Sequence, residues 1–219
     1  MTEGGPGVIF SDISLEAIAH LKERKIAHHG LVMSVTDIPF ASKSIPAIVC
    51  SEVIEHVRED EKALREMHRV LEPGGAIILT VPMHPRYYAF DDYYVQHIRR
   101  YKLWPFLRKL RKIGFKNLQI VKVTGFLDKM AMVALTRVYS LFLRPKQKNP
   151  NKNGAIFLKA ILPIYKTLNR IYAFAVEWEA RLMPLSTSAV VLIHGVKAGN
   201  LRPVLRVKAP EEKIPTKAG

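Results

Sequence analysis

Apolar residues in this chain fall into short runs, set apart by acid-rich or glycine-rich breaks. Val8-Ile9-Phe10, ending in Ser11-Asp12, reads as a buried strand. Ser14 suits the N-cap of a helix from Leu15 to about Lys25, with Ile18 and Leu21 facing inward. Leu31–Val35 and Ile45–Ser51 read as the next two strands. Ala63, Leu64, Met67, Val70 and Leu71 then share one stripe, which predicts a helix over Glu59–Glu72. Its first turn holds Glu59, Asp60 and Glu61, the charge that a helix N-terminus favours. Pro73-Gly74-Gly75 stops that helix, and Ala76–Val81 reads as a fourth strand. A polar, aromatic loop covers residues 82–101; a helix over Leu103–Ile113 and a strand near Leu118–Val123 follow.

The period then changes. Residues 126–185 are apolar at helical spacing, with Phe157, Ile161, Ile164, Leu168 and Ile171 on one stripe and a kink expected at Pro163. Arg144–Gly154 interrupts them as a loop rich in Lys, Asn and Pro. Ala189–Val196 returns to a strand, and the basic tail from Gly199 is expected to be loose. Strands alternating with helices imply an α/β fold, a mostly parallel sheet with helices on both faces. The expected division is an α/β core over 1–125 and 186–198, a helical cap or insertion over 126–185, and a tail over 199–219.

Composition narrows the class. The chain has 219 residues, 48% hydrophobic and 24% charged, which is a folded rather than a disordered balance. A single cysteine, Cys50, allows no intrachain disulfide. The first residues show no basic stretch before an apolar run, so no signal peptide is expected, and no run is long enough for a spanning helix. These features suggest a cytoplasmic location. The net charge of +15 is unevenly placed: residues 1–99 hold 10 Lys/Arg against 14 Asp/Glu, and residues 100–219 hold 24 against 5. A basic second half suggests an anionic partner or a solvated cationic face. Residues 126–143 add Phe126, Leu127, Met130, Met132, Leu135 and Phe142, more apolar surface than one buried stripe requires. Beside Arg137, Arg144 and Lys146 this reads as peripheral contact with an anionic membrane, or as a cap packed on the sheet. Nucleic acid would need the charges but not the apolar excess.

Candidate chemistry sits where strands end, since ligands of open α/β sheets bind beyond the carboxyl ends of the strands. Asp12 can accept charge-assisted hydrogen bonds from a sugar diol, or cap the following helix. Asp37 with the Ile38 N–H can pair with a heterocycle edge, or open a turn before Pro39. Ser51, Glu52, Glu55 and His56 follow the third strand, and His56 has a side chain suited to general base work. Asp92 and His97 lie in the aromatic loop and could remove an acceptor proton or brace the loop. A metal site is not expected, because no second histidine stands at ligand spacing from Glu52, Glu55 and His56.

Val49-Cys-Ser-Glu-Val-Ile-Glu-His-Val57, followed by Arg69-Val-Leu-Glu-Pro-Gly-Gly-Ala-Ile-Ile-Leu-Thr-Val-Pro82, resembles the class I S-adenosylmethionine-dependent methyltransferases of the type 11/type 23 group. Ser11-Asp12-Ile13-Ser14, the Asp37-Ile38-Pro39-Phe40 segment and His97-x-Arg99-x-Tyr101 continue the resemblance in the right order. It implies a Rossmann-like fold and S-adenosylmethionine as cofactor, held by Asp12, Ile13, Asp37, Ile38, Ser51 and Glu52. It also implies methyl transfer to a small-molecule, lipid or glycan acceptor, with His56, His97 and Asp92 as candidate catalytic groups. One family feature has no counterpart: the Gly-x-Gly-x-Gly loop ahead of the strand that here is Val8–Phe10. Relative to the family the fold is therefore expected to be N-terminally truncated, with weak cofactor binding. The alternative is a catalytically degenerate binding protein whose basic half holds an anionic partner.

Overall fold

Periodicity and chain breaks place most elements within a few residues of where they form. The computed structural model describes residues 7–24, 29–138, 174, 176, 178, 179, 182 and 184–199. The first half contains β1 (Ile9–Asp12), α1 (Leu15–Glu23), β2 (His29–Val32), β3 (Ile45–Ser51), α2 (Asp60–Val70) and β4 (Leu71–Pro82). After it come α3 (Phe90–Tyr94), α4 (Leu103–Ile113), β5 (Phe115–Thr124), α5 (Phe126–Val138) and β6 (Val190–Lys197). Single 3-10 turns occupy Ile54–His56, Pro85–Tyr87 and Leu185–Thr187. The stripe through Phe157–Ile171, the Arg144–Gly154 loop and the tail beyond Gly199 lie outside the described residues.

Local chemistry sets the element ends. Ser14 caps α1 by accepting the Ala17 N–H at 3.2 Å. Past α2, Gly74 takes φ 80, and a Cβ on Gly75 would come within 2.9 Å of the Glu72 carbonyl and 3.0 Å of the Pro46 carbonyl. Only glycine fits where β4 turns in beside β3. Gly114 ends α4 at φ 121, a conformation that costs other residues dearly.

The sheet keeps the expected direction in most of its strands. β3, β4, β6 and β5 form a four-stranded sheet in that order, and β1 pairs with β2 in a separate two-stranded ladder. β1–β2 and β3–β4 are parallel, whereas β6 runs antiparallel to both β4 and β5. β3, β4 and β5 therefore point the same way with β6 reversed among them, so the larger sheet is mostly parallel in strand direction, as expected. The reason for the reversal is in the register: Thr124 at the end of β5 faces Val190 at the start of β6, and Val190 also faces Pro82. The excursion between residues 124 and 190 therefore leaves and re-enters the sheet at one end. That end carries the carboxyl termini of β3 and β4, since Ser51 faces Thr80.

One hydrophobic core joins Leu64, Met67 and Val70 of α2, Phe106, Leu107 and Leu110 of α4, and Ile77, Leu79, Val81 and Ile193 of the sheet. The sheet residues alternate along β4, so α2 and α4 cover the same face. The β1–β2 unit is tied to this core through the chain that follows β2, where Met33, Val35 and Phe40 pack against it and Ile38 is buried. Among the described residues β1 and β3 each have a ladder partner on one side only, and Val49 on β3 is 70% exposed.

Candidate functional site

At the carboxyl end of β3 the backbone departs from the strand under strain. Ser51 Oγ lies 2.8 Å from Thr80 Oγ1, and the Glu52 N–H donates to the Thr80 carbonyl at 3.2 Å and to its hydroxyl at 3.1 Å. These bonds hold Glu52 at φ 50, in the left-handed region that a residue with a long side chain rarely adopts. Glu52 Oε1 is buried with no hydrogen-bond partner in the protein. A buried acceptor left open at a strand end is a ligand contact in waiting.

The next turn sorts its side chains by burial. Ile54 is fully buried, and its carbonyl accepts the Tyr101 hydroxyl at 3.1 Å. That anchor turns Glu55 inward, to zero exposure, and leaves His56 outward. Folding then brings up the chain 43 positions further on, where the Ile98 N–H donates to the Glu55 carbonyl at 3.0 Å. His97 Nε2 lies 3.7 Å and His56 Nε2 3.9 Å from Glu55 Oε1. The two imidazole centroids are 4.8 Å apart at 67°. Neither Glu55 oxygen makes a hydrogen bond, and burial, helped by the Glu52 charge, pushes its carboxyl up to about 7 against the pull of its own N–H and of His97 and Arg100.

Each imidazole has one nitrogen committed. His97 Nδ1 lies 2.8 Å from Asp92 Oδ1, and His56 Nδ1 lies 3.1 Å from the Gln96 carbonyl. Both partners accept only, so both Nδ1 atoms donate and both Nε2 atoms face Glu55.

Asp92 is not placed to meet an acceptor. It has zero exposure and takes hydrogen bonds from His97, the Ala89 N–H at 3.0 Å, Arg100 Nε at 2.6 Å and Lys129 Nζ at 2.5 Å. Burial opposes its charge, but these donors outweigh burial and hold the carboxyl well below the usual range. Lys129 also bonds both oxygens of Asp91, at 2.6 and 2.7 Å, so two carboxylates and two cations balance inside the protein. Asp92 orients His97, a role that sequence did not assign it. Sequence reasoning weighed Glu55 only in a metal set that it set aside, and missed Arg100 and Lys129 as members of the site. Lys129 left a trace: it is the cation within the apolar start of α5.

The remaining candidates lie on other elements. Asp12 ends β1, is exposed, and accepts the Ser14 N–H at 2.8 Å, while Ile13 is 77% exposed. Asp37 is exposed and closes a turn with Ser34. Ile38 is buried, and its N–H, expected at a heterocycle edge, donates to Glu66 Oε2 at 3.2 Å. Toward α5 a cavity of about 360 Å³ is lined by Tyr87, Phe126, Leu127, Trp178, Leu182 and Thr187. Its floor is the N-terminus of α5, where the Glu179 carboxylate accepts the Phe126 and Leu127 N–H groups.

A second ionic anchor braces the site from below. Asp60 Oδ2 accepts the Tyr101 hydroxyl at 3.1 Å and Lys109 Nζ at 2.9 Å, and Arg99 lies 3.3 Å away. Burial opposes the Asp60 charge, yet Lys109, Tyr101 and Arg99 together lower its pKa. A folded pKa below the unfolded value of about 3.9 contributes stability above that pH, lost as pH falls through the folded value. Acid unfolding of Asp60→Asn is therefore expected to depend less steeply on pH below about 4 than that of the wild type. Superimposable acid limbs in circular dichroism would contradict this.

Comparison with known proteins follows the same lines. Residues 2–79 match the family described as the methyltransferase domain. The demethylmenaquinone methyltransferase of Renibacterium salmoninarum is 32% identical over 98 residues, 45% of this chain and 41% of that protein. The match thus spans about two fifths of that relative. Among solved structures, a possible histamine N-methyltransferase from Thermotoga maritima superposes with a TM-score of 0.54 at 18% identity, over 86% of this chain and 72% of that one. A Haemonchus contortus phosphoethanolamine N-methyltransferase 2, solved with S-adenosyl-L-methionine, gives 0.52 at 17% identity, over 88% and 43%. At such identities the superpositions speak for the fold alone. Together the comparisons show a methyltransferase-domain match over residues 2–79 and a fold shared with S-adenosylmethionine-dependent methyltransferases.

Proposed function

We propose that this protein takes part in methyl transfer from S-adenosylmethionine to a small apolar acceptor. The observation that carries the reading is Glu52. Its buried, unpartnered Oε1 and left-handed backbone sit at the carboxyl end of β3, where an α/β sheet binds its ligand. That oxygen fits the hydroxyl or ammonium donors of S-adenosylmethionine. Ser51 and Glu52 would hold the cofactor at this strand, with Asp12, Ile13, Asp37 and Ile38 as further contacts from β1 and the chain after β2. When bound, the cofactor supplies an electrophilic methyl group on a sulfonium. The protein's own part is positioning and exclusion of water. Proton removal, where the acceptor requires it, falls to the trio of Glu55, His56 and His97.

For the acceptor, the aromatic and aliphatic cavity between Tyr87, Phe126 and Trp178 supports an apolar ring, and its volume of about 360 Å³ suits a small molecule. The Renibacterium relative is named for demethylmenaquinone, which makes a quinone-type acceptor the finer reading. Met130 and Met132 on α5 are half exposed, which keeps the expectation of membrane contact consistent with such an acceptor. Among the described residues no helix is long and apolar enough to cross a membrane.

Saturation-transfer NMR with S-adenosylmethionine tests the reading, because it registers weak binding. Weak binding is expected, the chain containing no Gly-x-Gly-x-Gly loop. Glu52→Ala is expected to weaken it by about 1.5–3 kcal/mol, the scale of a hydrogen bond to a charged group. No transfer to either S-adenosylmethionine or S-adenosylhomocysteine would overturn the proposal.

A further inference from the structure

We infer that Glu55, His56 and His97 form a binding site for one divalent first-row transition ion, of the class of Zn²⁺ or Fe²⁺. Three groups able to donate an electron pair converge on one point. Glu55 Oε1 and Oε2 are buried and unpartnered, and the two Nε2 atoms stand 3.7 and 3.9 Å from Oε1. All three ligand atoms lie within 4.8 Å of one another. A tetrahedral ion holding each ligand at about 2.1 Å sets the ligand atoms about 3.4 Å apart, so the Glu55–His pairs at 3.7 and 3.9 Å need to close by only a few tenths of an ångström. The imidazole nitrogens can close to that spacing by a turn of the exposed His56 side chain.

The outer groups are those that metal-binding histidines use. A ligating imidazole donates its second N–H to a carboxylate or a backbone carbonyl, which fixes the tautomer and the ring plane. His97 has Asp92 at 2.8 Å and His56 has the Gln96 carbonyl at 3.1 Å. Asp92 is itself fixed by Arg100 and Lys129, so the His97 ring is held before any ion arrives. Two imidazoles and one carboxylate suit Zn²⁺ and Fe²⁺ in preference to Mg²⁺ or Ca²⁺, which favour all-oxygen sets. Three protein ligands leave at least one coordination position open, and the exposed side of His56 gives the route in. An ion there would bind water or an acceptor oxygen, which deepens the role proposed above for this trio without depending on the cofactor.

Titration of the metal-free protein with Co²⁺, read by its visible absorption, and competition by Zn²⁺ test the site. One equivalent of saturable binding is expected. Glu55→Gln is expected to fold, because it replaces a buried carboxyl with an uncharged group of the same shape. His56→Ala removes an exposed ring and is expected to fold as well. Each should weaken binding by more than the roughly 10–100-fold that loss of an outer partner costs. His20→Ala, on the exposed pair with Glu23, is expected to leave binding unchanged. Absence of saturable binding, or equal binding in wild type, Glu55→Gln and His56→Ala, would overturn the inference. The titration contains no S-adenosylmethionine, so failure to bind the cofactor removes the methyl-transfer reading and leaves the ion site standing.

Discussion

Asp92→Ala is expected to lower folding stability by about 3–5 kcal/mol, the cost of leaving buried charges without their partner. The carboxylate has zero exposure and takes hydrogen bonds from Arg100 at 2.6 Å and Lys129 at 2.5 Å, and both cations are themselves buried. Alanine leaves one buried carboxylate, Asp91, for two buried cations. Arg100 retains only the Met83 and Ala189 carbonyls, each at 3.2 Å. His97 also loses the acceptor that fixes its ring. Urea unfolding followed by circular dichroism measures the change. A loss under about 1 kcal/mol, the level of an exposed ion pair, would mean that the cluster is open to water.

Phe106→Ala should cost a similar amount, about 3–5 kcal/mol, for a different reason. Phe106 is 2% exposed in the first turn of α4, and its ring centroid lies 4.5 Å from that of Tyr101. Removing it opens a cavity in the core between α2, α4 and the sheet, which the surrounding backbone cannot fill. The effect should reach the site. Tyr101 carries the hydroxyl that holds the Ile54 carbonyl, and that turn aims Glu55 inward and His56 outward. The expected signature is a lower unfolding midpoint together with changed His56 and His97 resonances in the folded protein. Unchanged histidine resonances would separate core packing from site geometry. Phe106→Leu, which keeps most of the volume, should cost under about 1.5 kcal/mol if the cavity is the cause.

Sequence by itself determined most of what is local. The Ser14 cap, the α2 stripe, the Pro73-Gly74-Gly75 break and β3 at Ile45–Ser51 follow from residue periods and backbone preferences, which act over a few positions. The Glu-x-x-Glu-His wording after β3 likewise singled out the strand end where Glu52, Glu55 and His56 lie. Tertiary structure decided the rest. No period signals that β6 runs antiparallel, because its direction depends on where the excursion from Thr124 to Val190 re-enters the sheet. Nor does spacing reveal that His97 meets Glu55, that Lys129 neutralises Asp91 and Asp92, or that Glu179 caps α5. Those pairs are separated by 37 residues or more, and folding chooses them because a buried charge must find its counter-charge or donor wherever the core excludes water. The metal ligand that sequence spacing lacked was supplied in this way, by a loop that the Tyr101 and Ile98 hydrogen bonds lay across the turn after β3.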